Sequence, residues 1–341
     1  LKLSIASAPF IRPTMQVSWV MRQVLLALVP AILINTLFFG PGVILNILLA
    51  CLVAVSCEAI ALKLRDRPIV ATLNDSSALL AGVLLGLAMP PLSPWWLTAL
   101  GAAFALIVAK HLYGGLGYNP FNPAMAGYAA LLTSFPSLMK QWPTPGAELP
   151  GVGDTLHHFI FGRLMDNRLI DLISSATVLD HTKSQLALHY TWSELSGETL
   201  YGMLGGAGWQ WVALAYLAGG LYLLAVRIID WRIPTTVLAA LATLALFFHL
   251  VDSDHYPGPI FHLFSGAAMI GAFFIATDPV SAATTPKGRL IYGASIGILI
   301  YLIRTFGGYP DGVAFAVLIL NAAVPVIDRH TQPRVYGHDR N

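Results

Sequence analysis

Near the middle of the chain, Asp171-Leu172-Ile173-Ser174-Ser175-Ala176-Thr177 gathers hydroxyl groups on the only long hydrophilic stretch of an otherwise apolar sequence. Read by themselves, Ser174 to Thr177 make a polar turn. Other polar side chains cluster where apolar segments end. Asn119 and Asn122 lie in Gly114-Gly115-Leu116-Gly117-Tyr118-Asn119-Pro120-Phe121-Asn122-Pro123-Ala124, whose glycines admit positive φ and whose prolines remove backbone donors. That segment is a shaped turn, whose free amides and carboxamides either line a path for a cofactor or ion or merely cap a helix. Thr277-Asp278-Pro279-Val280-Ser281 offers a similar choice. Asp278 either bonds nearby amides or pairs with Lys287 or Arg289, or else it joins Thr277, Ser281, Thr284 and Thr285 in a polar pocket for a cofactor ring or a coupling ion. Asp75 reads as part of a helix N-cap. His157, His158, His181 and His189 lack metal-ligand spacing and read as exposed loop residues. No zinc pattern, phosphate loop, dinucleotide fingerprint or nucleophile elbow is present, so the chain offers no self-contained active site.

The elements that must position these groups are membrane helices. Hydrophobic residues make up 56% of the chain and charged ones 11%, with a mean hydropathy of +0.70, whereas soluble domains are about 25% charged. The net charge of +2 is spread too thinly to imply a nucleic-acid partner. Cys51 and Cys57 share one apolar segment and point to different faces of a helix, which suits small buried side chains and neither a disulfide nor a metal. No cleavable signal peptide is expected at the N-terminus.

A spanning helix needs about 20 apolar residues. The pattern predicts spans over 20–39, 43–64, 95–109, 209–226, 235–250, 260–276, 290–303 and 312–327, plus shorter segments at 77–89 and 124–135 that are extended by polar flanks or buried as half-helices. The fold class is therefore an all-α polytopic membrane protein of about ten transmembrane helices. Positive loops stay cytoplasmic. With the N-terminus inside, Lys2, Arg12, Arg22, Lys63, Arg65, Arg67, Lys110, Arg227, Arg232, Lys287, Arg289, Arg329, Arg334 and Arg340 fall on the cytoplasmic side. Only Lys140, Arg163, Arg168, Lys183 and Arg304 fall outside. Both termini are expected in the cytoplasm and residues 136–208 outside.

Aligning Ser76 with Ser265 sets Ala78 on Ala267, Gly82 on Gly271 and Pro90 on Pro279, and a shift of two residues sets Gly117-Tyr118 on Gly308-Tyr309. A duplication of an odd number of helices must be inverted, which gives two inverted five-helix repeats. The expected organisation is a first repeat over 1–135, an external loop over 136–208, a second repeat over 209–327 and a cytoplasmic tail over 328–341. Inverted repeats with broken helices equally mark a channel or secondary transporter, and a purely structural scaffold for redox partners is a third option.

Leu79-Leu80-Ala81-Gly82 through Pro90-Pro91, Gly114 through Ala124, Thr277-Asp278-Pro279-Val280 and Phe306-Gly307-Gly308-Tyr309-Pro310-Asp311-Gly312 follow one another in an order that resembles one family. The chain looks like the D subunits of Rnf (Rsx) ion-translocating electron-transport complexes and is similar to the B subunit of the sodium-pumping NADH:quinone reductase. The resemblance implies an FMN attached through its phosphate to the threonine of an Asp-x-x-Ser/Thr-Gly/Ser-Ala-Thr motif. Asp171, Ser174, Ser175, Ala176 and Thr177 match it, with Leu172 where glycine is usual, so Thr177 is the implied attachment residue. It also implies riboflavin held without a covalent bond, for which Asn119, Asn122, Thr277 and Asp278 are candidates. The implied partners are the other membrane, flavin and iron-sulfur subunits, a flavin transferase and the lipid of a bacterial inner membrane. A hydroxyl on an external loop suits this modification, because an enzyme can reach it there and cannot reach an apolar helix.

Overall fold

The computed structural model describes residues 16–145, 149–162 and 174–333. Helices dominate, and the described strands are a single short ribbon in which β1 (Trp142–Pro143) pairs antiparallel with β2 (Ser174–Ser175). Five helices are long and apolar enough to cross a membrane: α1 (Val17–Phe39), α2 (Gly42–Leu64), α9 (Arg232–Val251), α12 (Pro286–Phe306) and α13 (Val313–Thr331). Shorter apolar helices are α3 (Ser77–Ala88), α4 (Trp95–His111) and α8 (Trp209–Ala225), and α5 (Pro123–Ser134) is shorter still than α4 and α8. The polar middle, read as a loop, also folds: it contains β1, β2, α6 (Val152–Phe161) and α7 (Val178–Ala187).

The long helices are apolar all round because they have two unlike neighbours. On α1, Met21, Val24, Leu28, Ala31 and Asn35 recur at helical spacing and are buried against protein. Leu33 and Leu37 on the opposite face remain 60% and 72% exposed, as lipid-facing side chains must be. The same division runs along α2, with Ile47, Ala50, Ala54 and Glu58 inward and Leu48 and Leu52 outward.

Close crossings depend on small residues. Between α3 and α2, a Cβ added at Gly82 would lie 2.8 Å from Cys51 Cα and one at Gly86 would lie 2.6 Å from Ile47 Cα. The four-residue glycine spacing thus lets two backbones touch where lipid supplies no hydrophobic drive for helix association. Helices α9 and α12 pack together in the second half, α1 packs on α8, and α5 packs on α13.

The segment expected as one helix over 260–276 is broken. Helix α10 (Pro259–Phe264) stops, Gly266 takes a φ of +66°, and the chain resumes as α11 (Ala268–Ile270) running into a π-helical turn, Gly271–Ile275. A break inside an apolar layer leaves carbonyls at one end and amides at the other without partners. One ion pair satisfies both ends. Arg304 donates to the carbonyls of His262 (2.6 Å) and Ser265 (3.1 Å), while its partner Asp311, 3.2 Å away, accepts the Ala267 amide at 2.7 Å. In the first half, α3 begins after Ser76 at a φ of +63°, with Asp75 Oδ1 accepting the Ser77 amide at 2.7 Å, which bears out the N-cap expectation.

Candidate functional site

Thr177 is the N-cap of α7, with its Oγ1 accepting the Asp180 amide at 3.3 Å. Pairing of β2 with β1 fixes the residues just before it, and Ser175 Oγ donates to the Ala176 carbonyl at 3.3 Å. Ala176 is exposed. Asp171 lies outside the described residues, and of Ser174 only the backbone pairing with Pro143 is described.

Helix α7 is held from below. Val178 and Leu179 are buried against Phe261, and Thr182 shares a 2.8 Å hydrogen bond with Tyr201. Lys183 reaches the C-terminal end of α12 and donates to the carbonyls of Arg304 (2.9 Å), Tyr309 (3.3 Å), Ile303 (3.4 Å) and Gly307. An ammonium there complements the carbonyl end of the helix, where backbone amide donors run out. Burial pushes the Lys183 ammonium below the ordinary lysine range, with Asp180 opposing and Lys140 adding to the shift.

Thr177 lies on the wall of a cavity that encloses about 1040 Å³ of empty space, the solvent at its open mouth included. Trp142, Trp209, Tyr128 and Tyr216 line it together with Asn35, Gly266, Asp311 and Lys140. Trp142 and Trp209 pack on each other and on Phe39, with ring centroids 4.6 to 5.6 Å apart. Asn35 Oδ1 is buried and has no hydrogen-bond partner among the described residues. An apolar, aromatic chamber with a few convergent polar groups is the usual form of a cofactor site. At its rim, the N-terminal amides of α7 and the Lys140 ammonium are donors suited to a phosphate on the Thr177 oxygen.

The other candidate residues meet at a second site. Asn119, Asn122 and Asp278 line one cavity of about 410 Å³ with Ser77 and Lys110, while Asn122, Thr277 and Asp278 line an adjoining one with Phe273 and Phe274. Asn122 caps α5 by accepting the Met125 amide at 3.1 Å, and Asn119 Oδ1 has no partner among the described residues. Asp278 accepts from the Ser281 hydroxyl at 2.7 Å and the Ser281 amide at 3.2 Å.

Several expectations need correction. Thr284 and Thr285 do not face this space: both bond Asp328 on α13. Thr277 Oγ1 turns back onto the Phe273 carbonyl at 2.6 Å. Arg289 pairs with Asp230 at 2.8 Å, not with Asp278. His158 is buried, with Nε2 2.8 Å from the Leu92 carbonyl, because α6 folds back onto the membrane part. No cluster of metal-ligating side chains occurs among the described residues.

Lys110 was expected among the loop charges, yet it is 2% exposed, 2.6 Å from the equally buried Glu58. The signal was present in the sequence as an acid, Glu58, in the middle of an apolar span. Its partner was not legible, since Lys110 adjoins a glycine-rich turn and looks like a flanking charge.

Lipid-facing apolar helices around an interrupted helix, with cavities at the helix junctions, define a polytopic membrane protein. The chain belongs to the family described as NQR2, RnfD, RnfE, which it matches over residues 4–337. It is 51% identical over 345 residues to the D subunit of the ion-translocating oxidoreductase complex of Escherichia fergusonii, covering 98% of each chain. The corresponding protein of Shewanella denitrificans, with the same description, is 52% identical over 343 residues, again covering 98% of each chain. That of Klebsiella pneumoniae is 52% identical over 345 residues, covering 98% of this chain and 99% of the relative.

Proposed function

We propose that this chain is the electron-carrying membrane subunit of an ion-translocating oxidoreductase complex, with FMN esterified to Thr177. The observation that carries the reading is the position of the Thr177 hydroxyl, at a helix N-terminus and on the wall of the large aromatic cavity. When bound, the flavin supplies the redox chemistry, and the protein supplies binding and surroundings. The α7 amides and Lys140 hold the phosphate, and Trp142, Trp209, Tyr128 and Tyr216 form an apolar chamber that excludes water around the ring. The Asn35 Oδ1 atom, with no partner among the described residues, would be available to accept a hydrogen bond from the bound group. The second pair of cavities, at Asn119, Asn122, Thr277 and Asp278, holds riboflavin without a covalent bond, supported by the unpartnered Asn119 carboxamide oxygen.

The complex couples electron transfer between reduced ferredoxin and NAD to movement of Na⁺ or H⁺ across the bacterial inner membrane. Counting α3, α5 and the broken α10–α11 as crossings gives ten spans in two inverted repeats. The contacts of α1 with α8 and of α5 with α13, first helix on first and last on last, support that reading, as do the matching starts after Ser76 and Gly266. Both termini are then cytoplasmic and the Thr177 segment external. The partners are the complex's other membrane, flavin and iron-sulfur subunits, together with a flavin transferase that makes the ester.

The test is a denaturing gel of the protein made with its transferase. The wild-type band fluoresces and the Thr177→Ala band is dark; a dark wild-type band refutes the reading. The broken helix with its buried Arg304–Asp311 pair favours the alternative of a secondary transporter, which predicts a dark band in both.

A further inference from the structure

At the Lys- and Arg-rich end of α2, four side chains form one hydrogen-bonded line that starts near the surface and passes along the second cavity. Asp75, half-exposed, accepts from the Ser77 hydroxyl at 2.6 Å. The Ser77 oxygen accepts from Lys110 Nζ at 2.7 Å, and Lys110 donates to Glu58 Oε1 at 2.6 Å. Ser77 and Lys110 both line the cavity that holds Asn119, Asn122 and Asp278. Lys110 and His111 are adjacent, and both face α2 because the C-terminal part of α4 is a π-helix, Phe104–His111, a form that recurs at functional sites. The cluster has spare capacity: Glu58 Oε2 and both ring nitrogens of His111 are buried without hydrogen-bond partners, with His111 Nε2 3.7 Å from Glu58 Oε1. The other charged groups nearby are Arg65, which bonds the His111 carbonyl, and Asp278 across the cavity.

We infer that Asp75, Ser77 and Lys110 form a proton path between that surface and the second cavity, with Glu58 paired to Lys110 beside it. The geometry suits a proton better than a metal cation, because the Lys110 ammonium 2.6 Å from the carboxylate already balances its charge and repels a second cation. In one passage, the Lys110 ammonium gives a proton to an acceptor in the cavity and becomes the neutral amine. Solvent then protonates the Asp75 carboxylate, the Ser77 hydroxyl turns from Asp75 toward Nζ and gives the amine its proton, and Ser77 takes the proton from Asp75, which returns to the carboxylate. One proton has moved from solvent to the cavity, and every group is restored. The unpaired Glu58 carboxylate left by the neutral amine, buried in low dielectric, drives the return of the proton to Lys110.

This inference rests on the reading of the second cavity as a redox-cofactor site, and its test is independent of the Thr177 gel. The complete purified complex is reduced at an electrode in unbuffered medium with a pH-indicator dye, and the rate of proton uptake is followed. Ser77→Ala, which changes no charge, slows uptake by about tenfold or more, as loss of a positioned acid–base group does. Ser77→Thr keeps the hydroxyl and restores most of the rate. The neutral double variant E58Q/K110M, which removes the ion pair without leaving a lone charge, assembles but takes up protons slowly. Wild-type uptake rates in both Ser77→Ala and the double variant overturn the inference, as does a wild-type complex that takes up no protons on reduction. If Ser77→Ala does not assemble, the double variant decides alone.

Discussion

The broken helix gives the sharpest test of how the fold is held. Arg304→Met keeps an unbranched, flexible but shorter side chain and removes the charge and donors. The guanidinium is 1% exposed and serves the carbonyls of His262 and Ser265 as well as Asp311. Removing one partner of a buried ion pair costs about 3–5 kcal/mol. The lower end applies here, because Asp311 is 22% exposed and keeps the Ala267 and Val313 amides. Two orphaned carbonyls add about 1 kcal/mol each at least, so the loss is about 5 kcal/mol. Asp311→Asn leaves Arg304 buried and unpaired and costs about 3 kcal/mol. The double variant loses less than the two single losses together, by about 2 kcal/mol, within the range of coupling between residues in contact. Equilibrium unfolding in mixed micelles, followed by tryptophan fluorescence and helical circular dichroism, measures all three. If Arg304→Met lies within about 1 kcal/mol of wild type and the double variant is additive, the ion pair does not hold the break, and the reasoning fails.

Gly86→Leu drives a side chain into the α2 backbone at Ile47 and is expected to cost about 3 kcal/mol or more, read as loss of folded protein in detergent, because neither backbone can give way. Lys183→Met unpins α7 from the end of α12 and costs about 2 kcal/mol, seen as faster proteolysis of the segment around Thr177 with the membrane helices intact. The Asp230 carboxyl feels burial pushing it up, but the Arg232 amide and the Arg289 and Arg232 guanidinium groups outweigh this and hold it below the ordinary carboxylate range. Its contribution is therefore fully present above the unfolded carboxylate value and is lost as pH falls through the lowered folded value. Asp230→Asn should flatten the acid side of the stability-against-pH curve measured by thermal unfolding. A wild-type curve that is already flat there refutes the assignment.

The amino-acid sequence by itself determined that the chain is a polytopic membrane protein, because the length and apolarity of a span are local properties. The order of its glycine, proline and asparagine motifs was likewise enough to point to its family. It also marked Thr177 as the residue to watch, and set Asn119, Asn122, Thr277 and Asp278 apart as polar groups at the ends of apolar segments. It did not show that those four surround one joined pair of cavities, nor that Thr177 caps a helix on the wall of a third, since both depend on contacts between residues far apart in the chain. The break at Gly266 was hidden for the same reason. Its carbonyls and amides are satisfied by Arg304 and Asp311 from later in the chain, so a local reading runs the helix straight through. Lys110 is the clearest case. In sequence it is a flanking charge, and only the packing of α4 on α2 makes it a buried ammonium facing Glu58.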